Sequence, residues 1–213
     1  MESQDRLQTY LNLLHPDLTP FLLELESIAK DADVPIIRKD TQNFLRMMMQ
    51  LHAPKSILEV GTAVGFSTIL MATYAPADCQ ITTIENYEKR ILLARNHFEQ
   101  SGFEDQITLL AEDAMEALDS LEDTYDFVFM DAAKGQYPAF LPKIKPLLHK
   151  GSVFITDNVL QEHEVIESHY AVVRRNRTIH KRMREYLYEL THDEDFVTDI
   201  LPIGDGIAVC VRK

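Results

Sequence analysis

Ser56-Ile-Leu-Glu-Val-Gly-Thr-Ala-Val-Gly-Phe-Ser67 decides the fold. Ser56 to Gly61 is a short apolar run that stops at glycine, the pattern of a buried strand. Gly61 and Gly65 let the chain turn tightly and approach a ligand closely. Residues 66–74 then take up helical spacing. Working outward, the same alternation continues. Further strands are predicted at 80–85, 106–111, 125–130 and 152–156, with helices at 87–100, 114–121 and 137–148. In the 87–100 segment, Ile91, Leu92, Ala94, Arg95 and Phe98 recur at helical offsets, and Gly102 marks its end. Pro138 suits an opening turn, whereas Pro142 and Pro146 leave the middle of the 137–148 helix open. Strands separated by helices of this length specify a parallel sheet with helices on both faces.

The flanks complete one domain, residues 1–213. Residues 7–14, 19–32 and 41–51 read as helices, interrupted by Val34-Pro-Ile-Ile-Arg38. Their short loops predict a helical cap, residues 1–55, on an α/β core, residues 56–213. Beyond residue 160 a polar helix is predicted around 179–190. Strands at 197–201 and 206–211 follow, joined through Pro202-Ile-Gly-Asp-Gly206. A turn of that type makes an antiparallel hairpin, so the sheet is mixed at one edge.

The composition is that of a globular protein, with 46% hydrophobic and 26% charged residues in 213. A formal net charge of −13 repels polyanions on average, although partners meet local patches rather than averages. Cys79 and Cys210 have neither metal-ligand spacing nor a disulfide framework and read as buried free thiols. No run reaches the ~18 apolar residues of a membrane span. The N-terminus carries acids and no apolar core, unlike a secretory signal. The expectation is a cytoplasmic protein without a membrane partner.

In open parallel sheets, ligands bind beyond the carboxyl ends of the strands. The first turn has neither the GxGxxG of dinucleotide binders nor a P-loop lysine. Glu59, just before it, could hold an ammonium group. Glu85 ends the second strand, where an acid takes ribose hydroxyls. Asp113-Ala114 closes the third, where an adenine edge could be read. Ammonium, ribose and adenine without phosphate describe S-adenosylmethionine. The alternative is a strand-turn-helix with incidental acids. Asp131 follows the fourth strand, and Asp157-Asn158 the fifth. Two converging carboxylates repel unless a cation lies between them. Two Asp oxygens and an Asn carbonyl suit a hard cation such as Mg²⁺, and the absence of His or Cys disfavours zinc. Asp131 could instead be an N-cap and Asp157-Asn158 a turn pair. Lys134, near such a cation, could act as a general base, or be an ordinary surface lysine.

These segments, with Ile203-Gly-Asp-Gly206, together resemble the cation-dependent O-methyltransferases, the group containing catechol and caffeoyl-CoA O-methyltransferases. The resemblance runs over roughly residues 30–213. It implies a Rossmann-like class I methyltransferase fold with a mostly parallel seven-stranded sheet, and a homodimer. It also implies a cofactor site of Ile37, Arg38, Glu59, Gly61, Ser67, Glu85, Asp113, Ala114 and Asp131. Metal ligands would be Asp131, Asp157 and Asn158, with Asp131 and Lys134 catalytic. Within the group, Val34-Pro-Ile, Asp131-Ala-Ala-Lys-Gly-Gln-Tyr137, Ile155-Thr-Asp-Asn-Val-Leu160 and Leu201-Pro-Ile-Gly-Asp-Gly-Ile-Ala208 look like the bacterial tRNA 5-hydroxyuridine methyltransferases. These make 5-methoxyuridine at the wobble position of the anticodon loop.

One stretch speaks for a tRNA partner independently. Residues 171–184 hold Arg174, Arg175, Arg177, Lys181, Arg182 and Arg184 and no acid, in a chain otherwise rich in acids. Arginine both pairs with phosphate and stacks on loop bases. The alternatives are a solvated basic helix balanced by nearby acids, and a small catechol-like phenol as acceptor.

Overall fold

The computed structural model describes residues 2–160, 165–168 and 171–213, with side chains from residue 6 onward. Its strands are β1 (Ser56–Val60), β2 (Gln80–Ile84), β3 (Ile107–Leu110), β4 (Tyr125–Met130), β5 (Leu148–Thr156), β6 (Phe196–Leu201) and β7 (Ile207–Arg212). They form one sheet in the order β3-β2-β1-β4-β5-β7-β6. β1 pairs in parallel with both β2 and β4, and only β7 runs against its neighbours. The order reverses at β1, which opens a crevice between β1 and β4 at their carboxyl ends.

The helices are α1 (Glu2–Leu14), α2 (Pro20–Asp31), α3 (Lys39–His52), α4 (Phe66–Tyr74), α5 (Glu88–Ser101), α6 (Ala114–Ser120), α7 (Tyr137–Ile144) and α8 (Arg177–His192). Central strands buried on both faces explain the unbroken apolar runs. Leu58, Val60, Val128, Met130 and Phe154 meet α6, α7 and α8 through Leu118, Phe140, Met183 and Tyr186. Ile57, Phe127, Phe129 and Ile155 face the other way, onto Leu25, Leu45, Met49, Phe66 and Phe98 of α2 to α5. The cap is thus continuous with the second core layer. Cys79 and Cys210 are buried free thiols.

Boundaries differ from the sequence-based expectation at the start of α1, at Glu2 instead of residue 7, and at the α7–β5 junction. The helix predicted to reach residue 148 stops at Ile144, a 3₁₀ turn covers Lys145–Leu147, and β5 starts at Leu148. Pro146 supplies no N–H to continue the α-helical ladder; Lys145 keeps helical angles, and the backbone becomes extended at Leu148.

Candidate active site

The parallel ladder runs one residue past each strand. Glu85 donates its N–H to Leu110 O, Gly61 to Ile84 O, Asp131 to Val60 O and Asp157 to Met130 O, at 2.9–3.1 Å. Three carboxylates and a glycine therefore stand in a row along the carboxyl edge of the sheet. All four line a cavity of about 850 Å³. Its wall also takes Ile37 and Arg38, Asp113 and Ala114, Lys134 and Asn158.

Backbone donors hold the cofactor-side acids. Glu85 accepts from the N–H groups of Ala63 at 2.9 Å and of Asn86 and Tyr87 at 3.0 Å. Asp113 caps α6 by accepting from Met115 N at 2.8 Å. The glycines are also required by packing. Gly61 has φ +106°, and a Cβ there would lie 2.1 Å from the carbonyl oxygen of Asp131. A Cβ on Gly65, at φ +85°, would lie 2.6 Å from the Phe98 ring.

Glu59 and Ser67 do not line the cavity. Side chains alternate along β1, so Glu59 shares the face of Ile57 and points beneath the start of α4. It is fully buried. It accepts from Ser67 Oγ at 2.5 Å, from Thr83 Oγ1 at 2.6 Å and from the Thr68 hydroxyl. Burial pushes its carboxyl up to about 7 against these three donors, and the charge of Asp131 adds to the rise. Glu59 thus braces β1, β2 and α4 from within.

At the β4–β5 corner, Asn158 Nδ2 donates to Asp131 Oδ1 at 2.8 Å, and Asn158 N to Asp157 Oδ1 at 2.7 Å. Asn158 sits at φ +61° in the left-handed region, which asparagine tolerates. Burial pushes Asp157 up to about 7, and the charge of Asp131 adds to that. Asp131 is raised too, by burial first, with the Asn158 hydrogen bond and Lys134 opposing. Two carboxylates at neighbouring strand ends, one raised by the charge of the other, fit a divalent cation between them. Among the described residues no three of His, Cys, Asp and Glu gather closely enough to hold a metal. Asn158, whose amide lies beside Asp131, would add its side-chain oxygen to the two carboxylates.

A family model for O-methyltransferases matches residues 17–213. The chain belongs to the O-methyltransferase family. It is 30% identical over 187 residues to caffeoyl-CoA O-methyltransferase 5 of Nicotiana tabacum, covering 81% of this chain and 75% of the relative. Catechol O-methyltransferase of Niastella koreensis is 28% identical over 152 residues, 68% of this chain and 69% of that one. The fold superimposes on the SAH-bound Podospora anserina methyltransferase with a TM-score of 0.89 at 24% identity, covering 100% of this chain and 96% of that one.

Two features of the site in this O-methyltransferase have little local signature in the sequence. Asp205, in the β6–β7 turn, reaches the cavity wall and pairs with Arg38 through Nε at 2.9 Å and Nη2 at 2.7 Å. Gly204 N also donates to Asp40 Oδ2 at 3.0 Å. These bonds tie the 35–41 segment to the hairpin across the cavity mouth. The only hint was Ile203-Gly-Asp-Gly206 itself. Asn86 and Arg90 also line the cavity, just past β2.

The basic stretch begins in a 3₁₀ turn, Arg174–Asn176, and enters α8. Arg174, Arg175, Lys181, Arg182 and Arg184 are exposed. Arg177 is half-buried, with Nε donating to Val172 O at 3.1 Å. The six do not form a single face. At 3.6 residues per turn, Lys181 lies on the crest of α8 with Arg182 and Arg184 on opposite flanks. Lys181 lies 3.6 Å from Glu185, and Arg182 Nη1 donates to Gly135 O at 2.9 Å. Gly135 belongs to the 3₁₀ turn Lys134–Gln136, so the basic helix packs against the turn that carries Lys134.

Proposed function

We propose that this O-methyltransferase uses S-adenosylmethionine and a divalent cation such as Mg²⁺ to convert 5-hydroxyuridine to 5-methoxyuridine at the wobble position of tRNA. The observation that carries the tRNA half is the contact of the basic helix with the Lys134 turn. The basic helix is therefore anchored beside the Lys134 wall of the cavity, in a chain whose average charge repels nucleic acid. Arg174, Arg175, Lys181 and Arg184 are the phosphate contacts in this reading, and the anticodon base splays out of its stack into the cavity.

Each part of the cavity has a task in this reaction. Glu85 receives ribose hydroxyls, and Asp113-Ala114 the adenine edge. Asp131, Asp157 and Asn158 would hold the cation. When bound, a hard cation acidifies a chelated hydroxyl and fixes its oxygen, and S-adenosylmethionine supplies a sulfonium methyl group. The 5-hydroxyl and 4-oxo groups of the base are vicinal, as in a catechol. Lys134 takes the hydroxyl proton, and the acceptor oxygen forms its bond to the methyl carbon as the bond to sulfur breaks. The cavity contributes mainly alignment and electrostatics. The SAH carried by the Podospora anserina neighbour supports the cofactor half.

The named relatives favour a second acceptor class, a small catechol-like phenol. Salt separates the two. Methylation of tRNA weakens steeply with salt because phosphate contacts release counterions, whereas methylation of a phenol does not. Labelled S-adenosylmethionine, Mg²⁺ and hydroxyuridine-containing tRNA, with catechol in parallel and two salt concentrations, make the test. Label in catechol alone removes the tRNA reading. A homodimer belongs to this proposal as well. Leu7, Tyr10, Leu13 and Leu14 of α1 are 57–79% exposed, an apolar surface that a second copy would cover. Among the described residues no helix is long and apolar enough to cross a membrane.

A further inference from the structure

Residues 134–137 follow one another with different attachments. Lys134 lines the cavity, Gly135 offers its carbonyl to Arg182 at 2.9 Å, and Tyr137 donates its hydroxyl to the Asp157 carbonyl at 3.2 Å. Within the turn, Gln136 N donates to Ala133 O at 2.8 Å. Tyr137 is fully buried, its ring 5.6 Å from that of Tyr186, whose hydroxyl bonds Thr156 Oγ1 at 2.6 Å. The far end of the turn is thus fixed to the Asp157 strand end by a buried anchor. Its apex is held from outside, by α8. Nothing bulky intervenes there. A Cβ on Gly135 would lie 3.7 Å from Arg182 Nη1 and 4.0 Å from Ile179 Cγ1. On α8, Ile179, Arg182 and Tyr186 recur at offsets of three and four, so one edge of the helix faces the turn.

We propose that Arg182 is a positioning residue for methyl transfer, and not one of the phosphate contacts. Its guanidinium fixes the Gly135 carbonyl and with it the backbone that aims Lys134 at the acceptor hydroxyl. This assignment rests on Lys134 being the proton acceptor of the proposed reaction. Other cations on α8 have no such duty. Lys181 points from the crest and Arg184 from the opposite flank. Arg182 is exposed, so replacing it leaves the core and the Tyr137 anchor intact.

The test uses the full chain as wild type, Arg182→Gln, Arg182→Lys and Arg184→Gln. Acceptors are hydroxyuridine-containing tRNA and catechol, which carries no phosphate. Arg182→Gln lowers kcat roughly 10- to 100-fold on whichever acceptor is methylated, the scale of a misplaced catalytic group, with KM held. Arg182→Lys, which keeps a cationic donor of similar reach where the shorter, neutral Gln does not, restores part of the rate. The salt slope for tRNA stays at the wild-type value in Arg182→Gln and falls in Arg184→Gln. Unchanged kcat with a raised KM for tRNA alone makes Arg182 a phosphate contact and overturns the proposal. If wild type methylates neither acceptor, the reaction reading has failed, and amide hydrogen exchange decides the positioning claim separately. Faster exchange at Gln136 and Tyr137 in Arg182→Gln, with the exchange of β4 and β5 unchanged, supports it. Unaltered exchange at those amides refutes it.

Discussion

Gly61→Ala tests how the sheet edge is built. The added Cβ would lie 2.1 Å from Asp131 O and 2.9 Å from its carbonyl carbon. Both are backbone atoms, so no side chain can swing aside. The backbone at φ +106° is also one that alanine rarely adopts. Strain of that kind costs about 1–3 kcal/mol, and overpacking about as much again. Together these give a loss of about 2–6 kcal/mol, or a Tm drop of roughly 5–20 °C for a chain of this size. Relieving the overlap needs a shift of about 1 Å at Asp131, enough to slow a positioned reaction roughly 100-fold. Gly102→Ala is the control. Gly102 has φ +73° but no atom within 4 Å of its added Cβ, so it carries strain without overlap. Thermal unfolding and initial methylation rates are measured for both. If Gly61→Ala is no less stable than Gly102→Ala and turns over normally, the close approach of β1 and β4 is not what requires glycine there.

Lys134→Met retains S-adenosylmethionine binding by calorimetry and loses roughly 10²- to 10⁴-fold in kcat; near-normal turnover removes it as the base. Glu59 has a folded pKa raised by burial from 4.5 to about 7. Its contribution to stability is therefore complete below pH 4.5 and is lost as pH rises through about 7. Glu59→Gln has no proton to lose, so the variant gains on wild type by about 3 kcal/mol between pH 4 and pH 8, read from urea midpoints. Equal pH slopes would show that Glu59 titrates normally. Charge-neutralising changes at Arg174, Arg175 and Arg184 each reduce the logarithmic salt slope of tRNA binding by about 1, measured by filter binding. An unchanged slope in all three moves the RNA elsewhere.

The sequence carried the site to different depths in different places. Asp131, Asp157 and Asn158 were legible because alternating strands and helices fix which residues end neighbouring parallel strands. Glu85 and Asp113 followed from the same geometry. Glu59 shares the parity of Ile57, so its side chain lies under α4 against Ser67 and Thr68 and not on the cavity wall, a placement that the glycine turn beside it does not reveal. Asp205 was hidden for a topological reason. It pairs with Arg38 across 167 positions, and no local pattern predicts which strand end a hairpin turn will overhang. The basic stretch was legible as a charge run, but its division around α8 appears only once Met183, Tyr186 and Leu190 define the buried face. The end of α7 was misjudged because apolar spacing continued past Ile144 while Pro146 ended the helix.

Nucleoside mass spectrometry after incubation of hydroxyuridine-containing tRNA with S-adenosylmethionine and Mg²⁺ tests the central claim most directly. Wild type and an Asp157→Ala, Asn158→Ala variant are run side by side. The prediction is 5-methoxyuridine with wild type and none with the variant. Full conversion by the variant would contradict the role given to the β4–β5 corner, and unmodified tRNA with active wild type on catechol would contradict the substrate.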